Sequence, residues 1–349
     1  MIKLGVLDQS PIRRDGTAAE ALAETIDLAR HCDKWGYHRY WVAEHHNSKS
    51  FAGSAPEIMI AALGAATTRM RVGSGGVMMP HYSPLKVAEQ FRLLESLYPG
   101  RIDLGMGRAP GTDLRTTRAL QPGPQAYDIA VFPQQVELLI QFLEDANGLE
   151  GSAGGFPDEH PYKGIHAMPR GEGFPELWML GSGGDGAAHA GQFGMPYSFA
   201  HFINQDAGTG PVEIYRQSFR PSPRLSRPYV SLGVSVMVGE TQEKAKRIAA
   251  SRNHWVVKLL QNQAERFWPV EDALAYPYSD REKAMLEAVE QRSVTGSPEQ
   301  VRAKLLEMVE TYGADELVIL TITHDHEDRL RSYELLADAF SLRAQEAAE

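Results

Sequence analysis

The chain has 349 residues, 43% of them hydrophobic and 23% charged, with a formal net charge of −10 and a single cysteine, Cys32. Such a composition suits a globular chain with a large core, lacks the basic face that nucleic acid or an acidic membrane surface requires, and excludes both a disulfide framework and a multi-cysteine metal site. No apolar run approaches the roughly 18 residues that span a bilayer, and the amino terminus reads as a strand rather than a leader peptide, so a cytoplasmic location is expected.

Lys3–Leu7 reads as the first strand and Ala18–Trp35 as the first helix, its apolar positions including Leu22, Ile26, Leu28 and Ala29; Cys32 falls in that pattern, which points to packing. The second strand, Tyr40–Ala43, delivers Glu44-His45-His46-Asn47 at its carboxyl end, the place where α/β proteins keep their active sites. Imidazole titrates nearest neutrality, so two of them beside a carboxylate suggest proton handling or anion binding. A helix cap with two satisfied imidazoles is the alternative; three titratable groups together favour function.

A helix follows near Pro56–Thr67, with proline suited to its first turn. Arg71–Met79 is a strand interrupted by Gly73, Gly75 and Gly76, which marks either a barrel bend or a ligand lying close to the backbone. Pro84–Leu97 is the next helix, then a strand over Ile102–Leu104 that runs into Gly105-Met106-Gly107-Arg108; a guanidinium at a strand end suits oxyanion recognition. A helix near Pro133–Asp145 precedes the strand Leu177–Leu180 and the glycine-rich turn Gly181-Ser182-Gly183-Gly184-Asp185-Gly186, which opens a helix over Gly184–Phe193. Such a turn lets backbone N–H groups and a helix N-terminus face an anion. A dinucleotide site would want an acidic residue about 20 positions on, and Ser198-Phe199-Ala200-His201-Phe202 offers none, so a phosphate site is preferred to a dinucleotide fingerprint. Tyr197–Phe199 with Pro211–Phe219, Val230–Val238 with Gln242–Gln261, and Glu316–Ile322 with a helix reaching about Ala344 complete the pattern. Thr323-His324-Asp325-His326-Glu327-Asp328 lacks metal-motif spacing and reads as the cap of that last helix.

Eight strand–helix units with no linker between composition regimes predict a single-domain (β/α)8 barrel over residues 1–349. Three segments, Ala109–Phe132, Gly148–Pro175 and Asn262–Thr295, exceed simple connections and are expected to act as lids, the last through Trp268. Phe199, His201 and Phe202 are expected to wall a substrate site.

Taken together, the chain resembles the bacterial-luciferase-like flavin-dependent oxidoreductases essentially end to end. The resemblance rests on Trp41-Val42-Ala43-Glu44-His45-His46, Gly73-Ser74-Gly75-Gly76-Val77, His81-Tyr82-Ser83-Pro84-Leu85-Lys86-Val87-Ala88-Glu89-Gln90, Pro99 through Arg108, and Gly181-Ser182-Gly183-Gly184. It implies a barrel binding FMN, or in some branches F420, at the strands' carboxyl ends. It further implies that His45 assists proton transfer near the reactive face of the flavin and that Glu44 lines the pocket. Gly75 and Gly76 would be joined by a non-prolyl cis peptide beneath the ring. Met106, Arg108, Gly181, Ser182, Gly183 and Gly184 complete the cofactor site, Arg108 and the turn holding the phosphate. Gly107 stands where luciferase's large subunit carries a reactive cysteine, which favours monooxygenation of a different substrate. Asp185 stands where a hydroxyl is expected; an acid beside a dianion is repulsive unless Arg108 offsets it, and weak retention suits an enzyme fed with reduced FMN. The implied function is an FMN-dependent monooxygenase of a small organic molecule, using O2 and reduced FMN from a separate flavin reductase, as a homodimer. An F420-dependent oxidoreductase and a non-catalytic flavin-binding paralogue are the alternatives.

Overall fold

The computed structural model describes residues 2–109, 111–121, 129–148 and 156–342. Its strands are β1 Lys3–Asp8, β2 Arg39–Val42, β3 Arg71–Met78, β4 Ile102–Gly107, β5 Glu176–Gly181, β6 Tyr197–Phe199, β7 Val230–Val238, β8 Val294–Gly296 and β9 Glu316–Leu320. All pairings between them are parallel. Strands β1 to β7 follow one another around the ring, and β9 closes it between β7 and β1. The result is the expected eight-stranded (β/α)8 barrel, with β8 added outside the ring on the far end of β7.

The helices are α1 Ala18–Trp35, α2 Pro56–Ala66, α3 Pro84–Leu97, α4 Leu114–Leu120, α5 Phe132–Asn147, α6 Gly184–Gln192, α7 Gly210–Ser218, α8 Gln242–Leu260, α9 Val270–Ala275, α10 Asp280–Gln291, α11 Pro298–Tyr312 and α12 His326–Ala339. Their ends follow from local chemistry. Thr17 and Glu20 form a capping box on α1, and Gly36 ends it in the left-handed region at φ 90°. Pro56, Pro84 and Pro298 occupy first turns, where a missing N–H costs nothing. Asp325 caps α12 by accepting from the Glu327 and Asp328 N–H groups, as expected of that acidic run.

Strand alternation splits the core in two. Val6, Tyr40, Val72, Leu104 and Ile319 face the helices in one large cluster that includes Cys32 of α1, while Leu7, Trp41, Trp178 and Val318 form a separate cluster inside the barrel. Below the two indoles, at the amino-terminal end, the lumen is filled by charge. Arg39 reaches Asp103 at 2.5 Å, Glu316 at 2.6 Å and Glu176 at 3.3 Å, and Arg71 reaches Asp103 at 2.7 Å. The Trp41 and Trp178 indole N–H groups donate to Asp103 and Glu176 at 2.9 and 2.7 Å. Burial alone would lower the Arg39 pKa, but Asp103, Glu316 and Glu176 hold it above its ordinary value.

The three long segments differ from expectation. Asn262–Thr295 is mostly regular, containing α9, α10 and the start of β8. Its Trp268 packs on His254 at 4.5 Å and beneath the Arg14 guanidinium, and does not line the cavity at the carboxyl ends of the strands. Residues 156–175 lead into β5, so the barrel's topology places them at the amino-terminal end, opposite any mouth; Arg92 holds the carbonyls of Pro169 and Gly171 there. Ala109–Phe132 contains α4. Residues 110, 122–128, 149–155 and 343–349, parts of these segments and the end of the last helix as expected, lie outside the described residues.

Removing one partner of a buried ionic cluster leaves the others uncompensated, at a cost of about 3–5 kcal/mol. Arg39→Ala is therefore expected to lose stability of that order in denaturant titration. A loss no larger than that of an exposed Arg302→Ala control would show that the cluster is not what holds the lumen.

Candidate active site

A cavity of about 280 Å³ opens at the carboxyl-terminal end of the strands. Each strand that reaches it contributes inward positions: Leu7 and Gln9 after β1, Trp41 and Ala43 from β2 and beyond, Gly107 at the end of β4, Leu180 and Ser182 around β5. Ser198, Ala200 and Phe202 follow the same alternation on and after β6. A larger hollow of about 730 Å³ lies at the opposite end around Lys3, His38 and Arg71. Its floor residues Arg39, Arg71 and Glu176 are already engaged in the ionic cluster, which leaves the smaller cavity as the place with groups available for chemistry.

The wall contributed by β3 is bare backbone. Gly75 pairs with Gly105 and Val77 with Met106, so Gly76 is an extra residue and the strand bulges. The Gly75–Gly76 peptide is cis. A Cβ on Gly75 would stand 2.7 Å from Leu7 and 2.9 Å from Trp41, and one on Gly76 would stand 2.7 Å from the Gly105 carbonyl oxygen. Only glycine fits both positions, and both line the cavity.

Glu44 and His45 lie at the mouth with different environments. The Glu44 carboxylate is 2% exposed and saturated: it accepts from the Met78 backbone N–H at 2.9 Å and the Tyr82 hydroxyl at 2.5 Å, and His46 Nε2 lies 2.6 Å from it. It thereby ties the β2 end to the β3 end. Burial and the neighbouring carboxylate push the Tyr82 pKa up, so the phenol stays a donor. The His45 ring stacks on Phe51 at 4.5 Å, and its backbone N–H donates to Gly53 at 2.8 Å. Its Nδ1 is sealed from water without a hydrogen-bond partner. Burial, with His46 adding to it, pushes the His45 pKa down to about 4. The imidazole is thus neutral at physiological pH; its residue lines the cavity while Nδ1 stays sealed and unpartnered. Phe51 itself packs on Trp255 of α8 and on Phe267, and Trp255 donates to Ser50 Oγ at 2.9 Å. The α8–α10 excursion therefore braces the imidazole through Phe51 and leaves the mouth uncovered by Trp268.

The remaining sequence-derived residues divide. Gly181 and Ser182 line the cavity, and Gly183 and Gly184 begin α6 immediately after them, with nothing within 4 Å of where Gly183 would carry a Cβ. Arg108 does not line the cavity; its guanidinium reaches Asp185 of α6 at 2.6 Å. Met106 points the other way, into the helix layer, because residues 105 and 107 take the inward positions of β4. Phe199 and His201 likewise face outward, against Tyr312 of α11, so Phe202 alone of that trio reaches the cavity. Sequence reading passed over Gln9, Ile203, Gly233 and Val318; strand alternation applied past the strand ends is the signal that finds Gln9 and Val318. Nothing local marks Tyr82 as the partner of Glu44 or Phe51 as that of His45.

Comparison with known proteins agrees with this geometry. Residues 2–316 match the family model described as luciferase-like monooxygenase. The chain is 37% identical over 339 residues to the luciferase-like monooxygenase of Escherichia coli (strain K12), covering 97% of this chain and 96% of that one. It is 36% identical to the N-acetyl-S-alkylcysteine monooxygenase of Bacillus subtilis (strain 168), covering 97% and 98%. Among solved structures, apo-MsnO8 superposes with a TM-score of 0.87 at 38% identity, covering 98% and 99%.

Two expectations follow from the Glu44 and His45 environments. Since His45 titrates near 4 in the folded chain against 6.5 for a free imidazole, its contribution to stability is intact above pH 6.5 and is lost as the pH falls from 6.5 toward 4. NMR titration of the wild type is expected to show an invariant His45 ring down to about pH 5, and Phe51→Ala to move its pKa upward; a wild-type midpoint near the free value would refute the sealed imidazole. Glu44→Gln places an amide donor against one of three donors and is expected to cost about 1–3 kcal/mol in denaturant unfolding, whereas a neutral result would show that the carboxylate is not fully engaged.

Proposed function

Because this chain belongs to the luciferase-like monooxygenase family, we propose that it is a flavin-dependent monooxygenase that takes reduced FMN from a separate flavin reductase and uses O2 to oxygenate a small organic substrate. The observation that carries the proposal is one cavity whose wall is the Gly75–Gly76 backbone and whose rim holds a neutral imidazole with an orphaned Nδ1. The residues present suit a flavin. Bare glycine backbone accepts a flat ring that any Cβ would obstruct, and the open N-terminus of α6 with Arg108 nearby suits a phosphate. In this reading Gly75 and Gly76 support the ring, and Ser182, Gly183, Gly184 and Arg108 hold the phosphate.

Bound reduced flavin would supply the electrons and the activation of dioxygen. The chain's own part is orientation, exclusion of water and proton handling. Leu7, Trp41, Val77, Leu180, Phe202 and Val318 make the cavity predominantly apolar, which favours an uncharged reacting group and keeps water from the reacting atoms. His45, neutral near pH 7, takes or returns a proton at Nε2, the ring nitrogen that is not sealed, without first having to lose one. Glu44 acts through position: by holding Met78, Tyr82 and His46 it fixes the backbone that carries His45. The same reading has one catalytic barrel per chain, working in the cytoplasm beside its reductase as a homodimer.

The test supplies the protein with NAD(P)H, FMN, a flavin reductase and a panel of small thioethers, the class suggested by the N-acetyl-S-alkylcysteine monooxygenase relative, together with small ketones. O2 uptake and product carrying one added oxygen atom are measured. The wild type is expected to form oxygenated product, and His45→Ala to form it about 100-fold or more slowly while still binding FMN. Turnover with reduced F420 and none with FMN would reassign the cofactor; a His45→Ala variant with full product formation would remove His45 from the chemistry.

A further inference from the structure

The Arg108–Asp185 contact joins the end of β4 to the first turn of α6, between residues 77 positions apart in the chain. Its geometry is that of a direct ion pair, Arg108 Nη2 to Asp185 Oδ2 at 2.6 Å, with the arginine side chain 33% and the aspartate side chain 70% exposed. The Gly183 cap supplies no side-chain acceptor to the α6 N-terminus, so Asp185 is the acid in that first turn. A carboxylate there gains from the helix dipole as well as from Arg108. Both features that would attract a ligand phosphate therefore already face an anion belonging to the chain.

We propose that Asp185 is an affinity-setting residue: its carboxylate occupies Arg108 and the α6 N-terminus in place of a phosphate, and a phosphate-bearing flavin binds only by displacing it. The inference rests on the flavin reading above and concerns its phosphate end. The exposure of Asp185 leaves it room to swing outward, and Arg108 then turns to the incoming dianion. Exchanging one anion for another on the same cation returns less than filling a vacant site would. The cofactor is therefore held loosely and leaves readily, as an enzyme that receives reduced flavin from another protein requires. Gly75 and Gly76, which would support the ring, line the cavity and this pair does not, so the competition would discriminate flavins by their phosphate alone.

Equilibrium titration of flavin fluorescence tests this, with FMN and riboflavin as probes and the wild type, Asp185→Asn, Arg108→Ala and the double variant as proteins. Thermal unfolding of each variant checks that the exposed substitutions leave the fold intact. Asp185→Asn is expected to bind FMN about tenfold more tightly and riboflavin unchanged. In the Arg108→Ala background the same substitution is expected to change FMN affinity by less than about twofold, since the cation being contested is gone. FMN affinity that is unchanged or weaker in Asp185→Asn would overturn the proposal, as would an equal gain for riboflavin. Failure of wild type and variants alike to bind either flavin would instead overturn the flavin reading, and this inference with it.

Discussion

Arg39 carries its charge in the lumen of a closed sheet, and the barrel's interior is arranged around satisfying it. Asp103, Glu176 and Glu316 converge on the guanidinium from β4, β5 and β9. Buried Asp103 and Glu316 are tolerable inside because Arg39, joined by Arg71 at Asp103, compensates them: burial still raises the Glu316 pKa despite the ion pair. Gly5 leaves room for the arginine stem, since a Cβ there would lie 2.6 Å from Arg39 Cγ. Trp41 and Trp178, edge to face at 5.1 Å, then rest on the same carboxylates through their indole N–H groups. The lumen is thus solid from its amino-terminal end up to the indoles. Above Trp41 lies the cavity at the end where the strands deliver Glu44 and His45.

At that end, one carboxylate and one imidazole perform separate jobs. Glu44 is engaged within the protein, its Oε1 by Tyr82 and His46 and its Oε2 by the Met78 N–H. His45 is the reverse case, a ring fixed by stacking and by its own backbone with a nitrogen left over. The brace behind it comes from far along the chain, through Phe51 to Phe267 and Trp255. An excursion that reads as a lid in sequence therefore works as a buttress.

Most helix and strand positions were legible because the chain states them redundantly. The Ala18–Trp35 helix has a capping box, an apolar face and a terminal glycine that all agree, and the Pro84–Leu97 helix is bounded by proline and by the loss of period. The short β8 was missed because three residues carry no period, and α9 and α10 because aromatic and proline residues around them suggested a loop. At the site, Glu44 and His45 were legible from their place at a strand end, and the Gly75–Gly76 break from glycines inside a strand. Met106, Phe199 and His201 were misplaced for one reason: their residue types suit a binding site, but alternation turns them outward. The pairing of Glu44 with Tyr82, 38 residues apart, depends on how strands are neighboured in space, which no local pattern encodes.

The claim that ties these elements together is that the cavity above Trp41 is a flavin site with His45 at its edge. The most direct measurement is a crystal structure of the protein soaked with FMN. The account requires ring density against the Gly75–Gly76 backbone within reach of the His45 imidazole, and phosphate density at Ser182 and the α6 N-terminus with Asp185 displaced from Arg108. Density in the amino-terminal hollow around Lys3 and His38, or a vacant cavity at saturating FMN, would contradict it.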